Sequence, residues 1–125
     1  MKGMYPNGAW TAPQDRDAFD PEAARLRMGV DRKDFARIFE YIWREVRERR
    51  SRLDDAWQAR DWKAVALHAH TVKSSAAAIG AEGLRRAAEG VERAAEAGDA
   101  IALEAALRTF HTARELLARL VGVNF

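Results

Sequence analysis

All three prolines, Pro6, Pro13 and Pro21, stand near the start of the chain, and no proline follows. Proline breaks helix interiors by removing an N–H and clashing with the preceding turn. A long tract without it, rich in alanine and poor in β-branched clusters, favours helix throughout. Capping chemistry supplies the boundaries. Asp20 before Pro21 reads as an N-cap with proline at the first helical position. Gly29 can close that short helix in a left-handed cap. Asp31, Asp61, Gly80, Gly98, Asp99 and Gly122 mark later ends. The pattern predicts one short helix, then longer ones over 32–59, 62–79, 82–97 and 100–121.

Apolar residues recur at three-and-four spacing along each long segment. Phe35, Ile38, Phe39, Ile42, Val46, Leu53 and Trp57 mark the first, and Trp62, Val65, Ala69, Val72, Ala76 and Ile79 the second. Leu84, Ala88, Val91 and Ala95 make a thinner stripe on the third, and Leu103, Leu107, Phe110, Leu117 and Val121 a broad one on the fourth. Each stripe needs a partner, and short connections force antiparallel neighbours. The expected fold is all-α: an antiparallel up-down four-helix bundle with a short extra N-terminal helix. Residues 20–125 would form the bundle. Residues 1–19 are aperiodic and read as a flexible or loosely docked arm, with Tyr5 and Trp10 as packing anchors. Gly83, Ala87, Gly90, Ala94 and Ala97 form a second, small-residue stripe on the third long helix. It fits either close approach of a neighbouring helix or plain alanine bias.

Composition narrows the function. The chain of 125 residues is 48% hydrophobic and 32% charged, enough for one packed domain with a solvated surface. Twenty-one basic against 19 acidic residues leave a net charge of only +2, which does not mark a nucleic-acid binder. The absence of cysteine excludes disulfides, thiolate metal sites and cysteine catalysis. No apolar run is long enough for a bilayer, and no signal-peptide pattern opens the chain, so the cytosol is the expected compartment. The segment REVRERRSR at 44–52 is basic. However, Glu40 with Arg44, Glu45 with Arg49, and Glu48 with Arg52 are four apart in the favourable order, so it reads as a salt-bridged helix face.

Three histidines remain as chemistry-bearing candidates: His68, His70 and His111. His68 and His70 are two apart, so they point in different directions, and no carboxylate at helical spacing completes a chelate. No metal site is expected. No serine–histidine–acid set and no glycine-rich phosphate loop is present. At about 100° per residue, His70 falls roughly 130° from the middle of its helix's apolar stripe. It should face outward among Ala66, Lys73, Ser74 and Ala77. Small neighbours leave room for another protein surface, and Lys73, three residues on, can stabilise an anion on the ring. His68 flanks the stripe with no cation at the next turn, and His111 reads as an ordinary surface or boundary residue.

The string AHTVKSSAAAIGA resembles the signature of histidine-containing phosphotransfer (HPt) domains. Ala69, His70, Val72, Lys73, Ser75, Gly80 and Ala81 match that pattern in kind and spacing. Leu84, the Val91–Glu92 pair, Glu96, Gly98 and Asp99 continue it. Upstream, an acidic start, a short helix, Gly29 and an aromatic-rich helix also fit, so the likeness spans residues 20–121. The resemblance implies a phosphorelay carrier. His70 would exchange a phosphoryl group with the aspartate of response-regulator receiver domains, and a hybrid histidine kinase could stand upstream. Lys73 would steady the phosphate. Ala66 and Ala77 would border the partner. Such a carrier has no kinase or ATPase activity and no intrinsic cofactor. Mg²⁺ is expected in the receiver's acidic pocket, because no carboxylate is expected beside His70. Ser74 departs from the family's usual glycine and adds a hydroxyl one turn from the ring, and Val72 replaces a leucine.

Two other classes stay open on the residues alone. One is a helical docking module without chemistry. The other is a nucleic-acid binder using the 44–52 segment, which the charge pairing disfavours. A monomer is expected, since each stripe can be buried internally, with Trp43 as the kind of exposed aromatic that a dimer would use.

Overall fold

The computed structural model describes residues 17–121. Tyr5, Trp10 and Gly122 lie outside the described residues. Five helices follow in order: α1 (Pro21–Met28), α2 (Arg32–Gln58), α3 (Trp62–Ala78), α4 (Glu82–Glu96) and α5 (Ala100–Val121). No strand is present among the described residues. The all-helical bundle with a short leading helix is therefore the observed architecture. The turns at 59–61, 79–81 and 97–99 are too short for anything but antiparallel neighbours. α3 lies between α2 and α4, and α4 packs in turn on α5.

Local chemistry explains the ends. The carboxylates of Asp20, Asp31, Asp61 and Asp99 accept from the backbone N–H three residues on, at 2.8–3.1 Å. These are the N-caps of α1, α2, α3 and α5, each satisfying one orphan donor. α2, α3 and α4 stop one residue earlier than expected, because ψ at Ala59, Ile79 and Ala97 has swung to between −11° and 8°. The N-terminus of α4 begins at Ala81 and has no side-chain cap. The segment before α1 substitutes: Ala18 C=O accepts from Gly83 N–H at 2.9 Å.

That contact gives the small-residue stripe a partial explanation. A Cβ on Gly83 would sit 3.3 Å from the Ala18 Cβ, so glycine admits the approaching chain there. The approaching element is the segment before α1, not a neighbouring helix. Gly90 faces open space, with nothing within 4 Å of a built Cβ, so close packing does not account for it. Ala87 and Ala94 are buried in the core, and Ala97 is exposed.

The core is aromatic near α1 and, apart from Phe110 of α5, aliphatic elsewhere. Phe19 is buried and sits 5.9 Å from Phe39, which stacks on Trp43 at 6.0 Å. Each such side chain contributes about 1.5–3 kcal/mol of transfer free energy. This column corrects the expectation for Trp43. It is 3% exposed and offers no surface to a dimer. Because the Phe39–Trp43 edge of α2 turns inward, Ile38 and Ile42 sit at the boundary, half-buried.

Gly80 holds the α3–α4 turn to the start of α1. Its φ is +77°, and a Cβ there would collide with the Asp20 carbonyl. Its own C=O accepts from Asp20 N–H at 2.8 Å. Both the left-handed backbone and the missing side chain are therefore required. A Gly80→Ala variant should lose about 2–4 kcal/mol of stability in denaturant unfolding. A loss under 1 kcal/mol would show that the turn and α1 separate freely.

Candidate functional site

α3 buries Val65, Ala69, Val72 and Ala76. The opposite face must look outward, and His70 lies on it with 56% of its side chain exposed. α4 comes alongside through Ala88, Val91 and Ala95, all buried. Residue 92 follows Val91 and so falls on the edge of α4 that borders α3. Glu92 reaches across the seam. One carboxylate oxygen, Oε2, lies 2.8 Å from His70 Nδ1. The other, Oε1, accepts from Lys73 Nζ at 2.6 Å. One glutamate thus holds both candidate side chains of α3.

The electrostatics fix the roles. Burial pushes the Glu92 carboxyl upward, but hydrogen bonds from Lys73 and His70, aided by their charges, outweigh it and hold the group below the ordinary glutamate value. Glu92 is therefore an anion near neutral pH. A carboxylate only accepts, so the imidazole proton belongs on Nδ1. In the neutral ring the lone pair is then on Nε2, on the exposed imidazole. The ring is held in one tautomer by a partner that does not block its nucleophilic nitrogen.

This corrects one sequence expectation and refines another. His70 does have a carboxylate neighbour. It comes from the facing helix, 22 residues on, where spacing along α3 could not reveal it. Lys73 is not a free ammonium awaiting an anion, since it already pairs with Glu92. The only hint of Glu92 was its place in the Val91–Glu92 pair of the expected next helix. Of the other candidates, Ser74 and Ala77 are exposed and Ala66 is half-buried. The Ala77 carbonyl accepts from Arg27 of α1 at 3.4 Å. No cluster of three or more His, Asp or Glu suited to a metal occurs among the described residues.

The remaining histidines differ. His68 turns toward α2, with Nδ1 3.4 Å from Arg49 Nη1. A cation does stand beside it, across the helix pair. Burial lowers its pKa, with Arg49 and Arg52 adding to the effect against a small opposing pull from Asp61. His111 rests edge-on against Phe110, 3.9 Å from Asp54. Burial and then Arg114 lower its pKa. Both rings are partly buried, and neither is hydrogen-bonded to a carboxylate as His70 is.

The arginines of α4 do not build a bare positive rim. Arg85 pairs with Glu82 at 2.6 Å, Arg93 with Glu89 at 3.1 Å, and Arg86 with Glu82 at 3.7 Å. On α2, Glu45–Arg49 and Glu48–Arg52 form as expected, at 3.0 and 2.8 Å. Glu40 and Arg44 form no ion pair among the described residues. Arg50 pairs with Asp54 instead. Arg49, Arg50 and Arg52 of the 44–52 segment are thus paired along the helix face. No described helix is long and apolar enough to cross a membrane.

Comparison with known protein families gives a match. The family model described as "Hpt domain" fits residues 37–122. No curated protein and no solved structure matches the chain.

The ionised Glu92 has a measurable acid signature. Its folded value lies below the ordinary one, so its stabilisation is complete above about pH 4.3 and drains away as pH falls through the folded value. Thermal unfolding should weaken across that acidic window in the wild type. A Glu92→Gln variant should show a shallower fall and lower stability at pH 7. Identical acid profiles would mean that the carboxylate is not held ionised by its partners.

Proposed function

Because the chain belongs to the Hpt domain family, whose members serve histidine phosphotransfer in phosphorelays, we propose that His70 is its phospho-acceptor and that its partners are response-regulator receiver domains. The observation that carries this is the outward imidazole with Nδ1 tied to Glu92, which leaves Nε2 to react.

The step can be written in full. The Nε2 lone pair attacks the phosphorus of a receiver's aspartyl phosphate. The N–P bond forms as the acyl O–P bond breaks, and the aspartate leaves as a carboxylate. The ring, still protonated on Nδ1, becomes a phosphorylated imidazolium, and Glu92 stabilises its charge. The reverse step gives the group to another aspartate. Such transfer needs in-line positioning and charge stabilisation more than covalent machinery. No general base is required when the attacking species is the neutral ring. Lys73 stabilises the developing charge by shifting part of its hydrogen bonding from Glu92 to a phosphoryl oxygen. Mg²⁺ is assigned to the receiver's acidic pocket, since both Glu92 oxygens are engaged. Ser74 borders the approach and offers a hydroxyl. Ala66 and Ala77 give the partner clearance on either side. A chain with one such group and no nucleotide motif acts as a carrier, without kinase or ATPase activity of its own.

A second reading, a docking module without chemistry, is disfavoured by the oriented ring, which plain docking does not need. Incubation with a phosphorylated receiver domain should place acid-labile label on the wild type and none on His70→Gln. Label persisting on that variant would move the acceptor to another histidine. Lys73→Ala should slow transfer about tenfold or more while leaving the helical signal unchanged. An unchanged rate would remove Lys73 from the chemistry.

A further inference from the structure

The ends of the bundle are not alike. At the end carrying the α2–α3 and α4–α5 turns, a hollow opens between α3 and α4. It is lined by Trp62, Lys63 and Ala66 of α3, Ala95 and Glu96 of α4, and Gly98 of the following turn. Its floor is apolar: Ala95 is buried, and Trp62 and Ala66 are half-buried. Lys63 and Glu96 stand exposed at the rim and form no ion pair among the described residues.

The adjoining turn adds a second, independent observation. Arg60 holds a left-handed backbone at φ +58°, the one described non-glycine residue to do so. Its guanidinium lies 5.0 Å from the Trp57 ring and 5.9 Å from the Trp62 ring. The two indoles are themselves 5.5 Å apart. This turn therefore presents a clustered tryptophan–arginine group, the residue types that dominate interface hot spots, at a backbone position that is strained for arginine.

Resting on the carrier reading above, we propose that this hollow is a docking pocket for the visiting receiver domain, occupied by an apolar side chain flanked by groups complementary to Lys63 and Glu96. Position argues for that occupant. At 1.5 Å per residue, Ala66 lies about 6 Å and Trp62 about 12 Å along α3 from His70. A standard interface covers about 800 Å² per partner, a patch of roughly 16 Å radius. A protein centred on the imidazole with an interface of that size also reaches the hollow. Ala66 belongs to both, so the two surfaces are continuous. The hollow would set which receiver is accepted, and the imidazole what happens once it arrives.

The test separates docking from chemistry with two phosphodonors. Phosphoramidate is small, gives its phosphoryl group to an imidazole with release of ammonia, and needs no docking surface. A phosphorylated receiver domain that labels the wild type needs one. Trp62→Ala, and separately the rim pair Lys63→Glu with Glu96→Lys, should raise the half-saturating receiver concentration about tenfold or more. Labelling by phosphoramidate should stay at the wild-type rate. The rim pair lies on exposed helix surface, so it remains informative if Trp62→Ala does not fold. Unchanged receiver transfer in the rim pair and in folded Trp62→Ala overturns the pocket while leaving the carrier reading intact. Failure of phosphoramidate to label wild-type His70 overturns the carrier reading and the pocket with it. A wild-type dimer that either variant dissociates, with transfer unchanged, would give the hollow to a second copy and overturn the assignment.

Discussion

The alanine-lined seam between α3 and α4 brings a glutamate of one helix within hydrogen-bond reach of an imidazole on the other. Ala69 and Ala76 on α3, with Ala88 and Ala95 on α4, are all buried. Small side chains let helix axes lie near the short end of the usual 8–10 Å range. Larger residues would hold the helices apart and withdraw the Glu92 carboxylate from Nδ1. The alanine content is therefore more than a helix-forming bias. It sets the spacing on which the ring's tautomer depends.

The remaining architecture keeps that spacing from changing. Asp20, Gly80, Ala18 and Gly83 tie the segment before α1 to the turn joining α3 and α4 through two backbone hydrogen bonds. That turn fixes how far α4 has advanced when it passes His70. Phe19 anchors the same segment against Phe39 in the core. The short leading helix and the segment before it thus brace the α3–α4 seam from one end, although none of them reaches the imidazole.

Much of this was legible in the residues. Aspartate caps, the Gly29 stop and the three-and-four apolar spacing place every helix within a residue, because they act locally along the chain. The outward setting of His70 follows from helical angles on α3 alone. What escaped was everything decided between helices. The partnership of His70 with Glu92, and of His68 with Arg49, depends on rotation and advance of one rod against another. Spacing within a single segment carries no such information. Trp43 escaped for a similar reason: it stacks on Phe39, which in turn packs against Phe19 from a stretch with no periodicity to read. The cap of α4 came from a backbone carbonyl, which leaves no trace in residue identity.

The pairing of Lys73 with Glu92 bears on how a relay could run in both directions. An ammonium with no companion would grip an arriving phosphoryl group and resist its departure. In the proposed carrier, the lysine has a carboxylate to return to at 2.6 Å, so neither the loaded nor the empty form would strand a charge. That would bring the two forms closer in free energy, and a courier that must hand on what it receives works best when its cargo is held only loosely.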